Sequence, residues 1–214
     1  MPNPQKPELK ISVISDYICP FCFIGHKRLA ALRDHYDLKI NWCFVEIHPE
    51  TPAEGHDVTL LNYDEDQWNL MMKNLHQLAR EENLTLSPQT IITNSRKALL
   101  LAEASKALGA DYFYPLHERI FDACFLEGLN IGKEEVLRQL AADCHIPDAI
   151  IETAWSDPFT RGHEDNTPAA LLPYLQYAGA IQARSVPTFI FDKNILTGVV
   201  STDNLLKAAK NMSG

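Results

Sequence analysis

The chain has no apolar run near the ~18 residues of a membrane-spanning helix. It also lacks an apolar segment ahead of its first strand-like stretch, where Met1-Pro2-Asn3-Pro4-Gln5-Lys6-Pro7 stands instead. Neither membrane insertion nor secretion is expected from such a pattern. Basic residues are outnumbered, 19 Lys and Arg against 28 Asp and Glu, and they are dispersed rather than gathered in a stripe. The resulting net charge of −9 repels a polyanion and argues against nucleic acid as a partner. There is no Gly-rich phosphate loop, no nucleophile-elbow serine and no His-Glu-x-x-His zinc helix. No internal repeat or low-complexity tract organises the chain. Cysteine is sparse and odd in number, five in 214 residues. That count fits a reducing compartment better than a disulfide framework, and a cytoplasmic location is expected.

Two of those cysteines lie close together, in Cys19-Pro20-Phe21-Cys22. The preceding Lys10-Ile11-Ser12-Val13-Ile14-Ser15 is rich in β-branched residues and reads as a strand, whereas Pro20 onward reads as a helix. A helix start carries unpaired N–H groups and partial positive charge, so a thiolate at Cys19 is favoured there. Cys22 lies one turn along, within reach of a mixed disulfide on Cys19. Pro20 suits the first turn, where its missing N–H costs nothing. A zinc site would need two more ligands at comparable spacing, and none is evident. Cys43, Cys124 and Cys144 are scattered singles that read as packing, and His26 reads as part of a solvated helix face. The acidic run Asp64-Glu65-Asp66 reads as a helix start rather than a metal cluster.

A second strand is expected over 38–47, followed by a Pro- and Gly-containing stretch to about Asp57. Only helix signals then appear from residue 62 to about Trp155. In the first of these helices Trp68, Met71, Met72, Leu75 and Leu78 recur at helical spacing. They read as core rather than as the lining of a groove for unfolded polypeptide or a small aromatic molecule. Asn94 is a candidate N-cap, Gly109 a helix stop, and further helices are expected over 112–127, 133–144 and 147–155. A helix opening at Thr167-Pro168 should be kinked or delayed by Pro173. Two strands, 185–192 and 195–200, turn at Lys193-Asn194 and lead to a closing helix from Thr202. Neither α/β flank alone holds enough strands for a sheet. The expected organisation is a discontinuous α/β domain of residues 1–59 and 158–214, with residues 60–157 as a helical insertion.

In this order, strand, Cys-x-x-Cys, helix, strand, then helix, strand, strand and helix, the chain resembles the DsbA-like thioredoxin superfamily. Its FrnE-type subgroup is the closer resemblance. It is carried by Ser15-Asp16-Tyr17-Ile18-Cys19-Pro20-Phe21-Cys22-Phe23-Ile24-Gly25, Asn94-Ser95 with Ala98, Phe125-Leu126-Glu127-Gly128 followed by Ile131-Gly132, and Ser185-Val186-Pro187-Thr188-Phe189. The resemblance implies a thioredoxin fold with a helical domain inserted after the second strand. It also implies a cis peptide bond before Pro187, facing the dithiol. The subgroup commonly has tryptophan, and DsbA histidine, where this chain has Phe21, so DsbA's strong oxidant character is not carried over.

The implied activity is thiol–disulfide exchange of the reductase or isomerase type. Cys19 is the attacking thiol, Cys22 the resolving thiol, and Pro20, Phe21, Val186 and Pro187 the substrate-binding frame. No metal and no bound cofactor is called for; glutathione or another cellular thiol is the expected electron partner. The expected substrate is a disulfide-containing or unfolded polypeptide, or a small aromatic molecule. Two alternatives stand beside this. One is a glutathione-dependent isomerase or transferase related to 2-hydroxychromene-2-carboxylate isomerase, which uses a serine near the position of Cys19. The other is a non-catalytic polyketide-pathway accessory or chaperone-like binding module.

Overall fold

The computed structural model describes residues 6–61, 63–88, 90–156 and 167–212. Residues 1–5 and the expected domain boundary at 157/158 lie outside the described residues.

A four-stranded sheet organises the molecule, in the order Asp37–Phe44 (β2), Glu8–Ser15 (β1), Thr188–Phe191 (β5) and Asn194–Thr197 (β6). Strand β1 (Glu8–Ser15) is buried towards its C-terminal end through Val13, Ile14 and Ser15, where β-branched side chains suit a pleated surface covered on both faces. It runs parallel to β2 (Asp37–Phe44), with Val13 opposite Trp42 and Ser15 opposite Phe44. Parallel neighbours need a crossover, which is helix α1 (Pro20–Ala30) and a short 3-10 turn. On its other side β1 pairs antiparallel with β5 (Thr188–Phe191), which forms a hairpin with β6 (Asn194–Thr197). The turn residues are Asp192 and Lys193, one position earlier than the sequence suggests, because Asn194 already pairs with Phe191. Asp192 takes the left-handed conformation (φ 54°), which an aspartate tolerates.

Between β2 and β5 the chain forms α2 (Glu65–Glu81), α3 (Arg96–Ser105), α4 (Ala110–Phe125), α5 (Glu134–Asp143), α6 (Asp148–Trp155) and α7 (Leu172–Ala180). Helix α8 (Thr202–Met212) closes the chain. Asp64 caps α2 by accepting from the Gln67 amide at 2.8 Å, the helix-start role expected of the acidic run. Helix α7 starts only at Leu172, so Pro173 falls in its first turn, where proline is tolerated.

Three expectations are corrected. The stretch expected to be all helix also holds a short strand, Ile91–Ile92 (β4), paired with His56–Asp57 (β3). Two-residue strands are too short to leave a periodic signal. His26 is not on a solvated face: it packs against Trp42, His117 and Phe121, at ring separations of 5.8, 4.9 and 5.5 Å. Burial lowers its pKa to about 4, so the ring is neutral. Finally, Trp68, Met71 and Met72 are half-buried rather than core. Of α2 only Leu75 and Ala79 are fully covered, because the helix meets α1 along a narrow stripe and turns its neighbouring face to a cavity.

Candidate dithiol site

Helix α1 begins where the C-terminal end of β1 leaves the sheet, and this places both cysteines. Cys19 is the N-cap residue in extended conformation (φ −89°, ψ 111°), with Pro20 in the first turn. Its carbonyl accepts from the amides of Cys22 (3.0 Å) and Phe23 (3.2 Å), which closes the first turn and sets the second thiol one turn behind the first. Cys19 is 5% exposed and Cys22 only 2%. The Cys22 thiol is pushed well above its ordinary value by burial, then by the adjoining Cys19 sulfur; the Asp16 main chain and the Ser15 side chain oppose this only in part. Cys22 is therefore held as a thiol.

The other expected site residues converge on the same spot. The peptide bond between Val186 and Pro187 is cis. Cys19 Sγ lies 3.7 Å from the Val186 carbonyl oxygen, joining the helix start to the approach of β5. Gly198 N–H donates to the Pro187 carbonyl at 2.8 Å, so the β6 side holds that approach in place. Ile18, Cys19, Pro20, Phe21 and Val186 line one end of a cavity of about 230 Å³. Its far wall comes from α2 (Trp68, Met71, Met72) and β4 with Thr93, with Cys124 of α4 also in the lining.

Several residues that sequence reasoning did not single out build this geometry. Asp16 is fully buried and ties the dithiol loop to the exit of β2: its carboxylate accepts from the Ile47 amide at 2.8 Å and the Ile18 amide at 3.3 Å. Burial outweighs those contacts and the Ser95 side chain, raising its pKa to about 7. Tyr17 shares a 2.6 Å hydrogen bond with Nδ1 of His117, pinning the same loop to α4. His117 is lowered well below the ordinary imidazole value by burial, so the bond is between neutral groups. Gly25 lies where α1 crosses Pro187 and Phe189; a Cβ there would sit 3.3 Å from Pro187 Cγ and 2.8 Å from Phe189 Cζ. The only signal for Asp16, Tyr17 and Gly25 in the sequence was their membership of the stretch 15–25, and His117 had none.

The remaining cysteines are a different kind of group. Burial raises the Cys43 thiol to about 11 and the Cys124 thiol to about 12, and it also raises the half-buried Cys144. A thiol kept protonated is a poor nucleophile.

The geometry, a dithiol at a helix start beside a cis-proline loop, agrees with what sequence comparison finds. The sequence profile of the DSBA-like thioredoxin domain matches residues 10–210. The chain belongs to the DSBA-like thioredoxin domain family. The uncharacterized protein YwbO of Bacillus subtilis (strain 168) is 24% identical over 198 residues, spanning 92% of this chain and 94% of YwbO. Among solved structures, the "probable DsbA oxidoreductase SCO1869" of Streptomyces coelicolor superposes with a TM-score of 0.79 at 18% identity, covering 97% of this chain and 91% of that one. The cytosolic disulfide reductase DsbM of Pseudomonas aeruginosa, solved with GSH, gives 0.66 at 16% identity over 95% of each chain. A 2-hydroxychromene-2-carboxylate isomerase gives 0.68 at 17% identity, over 96% of this chain and 95% of that one. These likenesses show that this DSBA-like chain has the fold that the three structures have in common. Among the described residues no helix is long and apolar enough to cross a membrane.

Proposed function

We propose that this chain is a thiol–disulfide oxidoreductase of the reductase or isomerase type. The observation that carries the reading is the pairing of a thiol at the N-terminal end of α1, where it lines the cavity, with a second thiol one turn behind it. Cys19 attacks a substrate disulfide as the thiolate: the substrate S–S bond breaks, a Cys19–substrate S–S bond forms, and one substrate thiolate leaves. The Cys22 sulfur then attacks Cys19 Sγ, expelling the second substrate thiol and leaving a Cys19–Cys22 disulfide. Two electrons and two protons pass to the substrate, and two equivalents of glutathione or another cellular thiol restore the dithiol. Val186 and Pro187 form one side of the substrate approach, and Pro20 and Phe21 the other.

Residues 60–157 are read as a helical insertion in a thioredoxin unit made of 1–59 and 158–214, with the insertion supplying the far wall of the cavity. The odd count of five cysteines in 214 residues supports a reducing compartment, hence the cytoplasm. The substrate is a disulfide in a polypeptide or on a small aromatic molecule. A glutathione-dependent isomerase has no use for a resolving thiol, and Cys22 argues against that alternative.

The test is reduction of insulin with dithiothreitol or glutathione as electron source. Cys19→Ser abolishes turnover, and Cys22→Ser stalls at a mixed disulfide. Calorimetry with S-methylglutathione, which cannot form a disulfide, separates the isomerase alternative. Weak or no binding is expected; micromolar affinity with full activity in Cys22→Ala overturns the oxidoreductase reading.

A further inference from the structure

The cavity beside Cys19 has a volume of about 230 Å³, and its wall is made chiefly of aliphatic, aromatic and thioether side chains. An apolar cavity of about 150 Å³ holds a benzene molecule, so this one has room for a single substituted ring. Trp68 and Met72 give that wall a flat ring and a pliable thioether, a combination that favours an aromatic guest. Among the described residues the lining has no Lys or Arg. Glutathione brings two carboxylates that need charge partners, and among the described lining residues the one basic side chain is His48.

One polar group stands out. Thr93, 5% exposed, lies in the wall with its hydroxyl buried and without a hydrogen-bond partner. A threonine hydroxyl left unpaired inside a protein is costly. A donor or acceptor atom on a guest within reach of this hydroxyl would relieve that cost.

Resting on the reading of Cys19 as the attacking thiol, we propose that the cavity is the pocket for a compact, uncharged aromatic group on the sulfur that Cys19 attacks, with Thr93 as its hydrogen-bonding anchor. The preferred substrate is thus an aryl disulfide. Cys19 displaces one aryl thiolate and keeps the other aryl group as a mixed disulfide with its ring against Trp68 and Met72. Cys22 then releases that group as the second aryl thiol while the protein disulfide forms. Glutathione's place in this scheme is as reductant of the disulfide form, outside the cavity.

The experiment compares rates of reaction of the reduced protein with dipyridyl disulfide, which is aromatic and uncharged and carries a ring nitrogen acceptor, and with bis(hydroxyethyl) disulfide and oxidised glutathione. Each rate is divided by that of free mercaptoethanol with the same reagent, which removes intrinsic reactivity. The corrected preference for dipyridyl disulfide over the other two is expected to be about 10-fold or more, on the scale by which a filled apolar pocket discriminates. Trp68→Ala should lower that preference about 10-fold, and Thr93→Val about threefold, with Thr93→Ser restoring it. A corrected preference near one, or one unmoved by Trp68→Ala, overturns the pocket. A preference lowered by Trp68→Ala but not by Thr93→Val overturns the anchor alone. Reaction of Cys19→Ser with all three reagents at the unsubstituted rate instead overturns the underlying assignment of Cys19.

Discussion

Gly25 on α1 comes so close to Phe189 on β5 that a Cβ on the glycine would lie 2.8 Å from the ring's Cζ. Helix α1 carries the dithiol and β5 follows the cis-proline loop, so this contact fixes how near Cys19 stands to Val186. Phe189 is fully buried, in an interior where close packing leaves a ring little room to shift. Gly25→Ala should therefore destabilise the fold by about 1–3 kcal/mol through overpacking. It should also lower disulfide reductase activity more than its stability loss explains, because α1 must shift away from the loop. Denaturant melts alongside insulin turnover check this, and unchanged activity in a destabilised variant would contradict the positional part.

Asp16 makes the stability of the molecule depend on pH in a defined direction. Burial raises its folded-state pKa from 3.8 to about 7, so the native state holds this proton more tightly than the unfolded chain. Its contribution is fully present below about pH 4 and is lost as pH rises to about 7, by a few kcal/mol in all at ~1.4 per pH unit. Asp16→Asn removes the titration. It also gives up one of the two amide contacts, since its single carbonyl oxygen cannot serve both Ile18 and Ile47. The variant should start out less stable in acid and recover relative to the parent between about pH 4 and 7. Parallel urea-melt curves across that range would contradict the placement of the proton.

Redox poise follows from what surrounds the Cys19 sulfur. Phe21 lines the cavity beside it and brings neither a donor nor a charge, and the nearby Val186 carbonyl is an acceptor. The reduced form gains little from such surroundings, so the couple should be less oxidising than DsbA's ~−120 mV. The expected value lies within the roughly −180 to −270 mV spanned by isomerases, glutaredoxins and thioredoxin. Equilibration with glutathione buffers measures it, and a DsbA-like potential would show that another group supports the reduced form. Phe21→His should move the potential upward.

The strand, the dithiol and the helix were legible because local chemistry dictates them: a β-branched run, a proline suited to a first turn, a periodic helix after it. What was not legible depended on residues that meet only in the folded chain. Asp16 reads as an ordinary loop acid until Ile47 and Ile18 close over it. His26 reads as solvated until Trp42 and His117 arrive from distant segments. Helical spacing marks Trp68, Met71 and Met72 as one face of α2, yet the pattern is the same whether that face meets core or cavity. The short β3–β4 ribbon, too brief for any period, was not legible either.

If Cys19 takes the substrate sulfur and Cys22 resolves it, removing the second thiol must trap the intermediate between them. Cys22→Ser is mixed with a peptide disulfide, quenched in acid, and digested without reductant for mass mapping. A one-to-one mixed disulfide on Cys19, released by dithiothreitol and absent from Cys19→Ser, is the predicted result. An adduct on Cys43, Cys124 or Cys144 instead, or undiminished turnover by Cys19→Ser, would contradict the account.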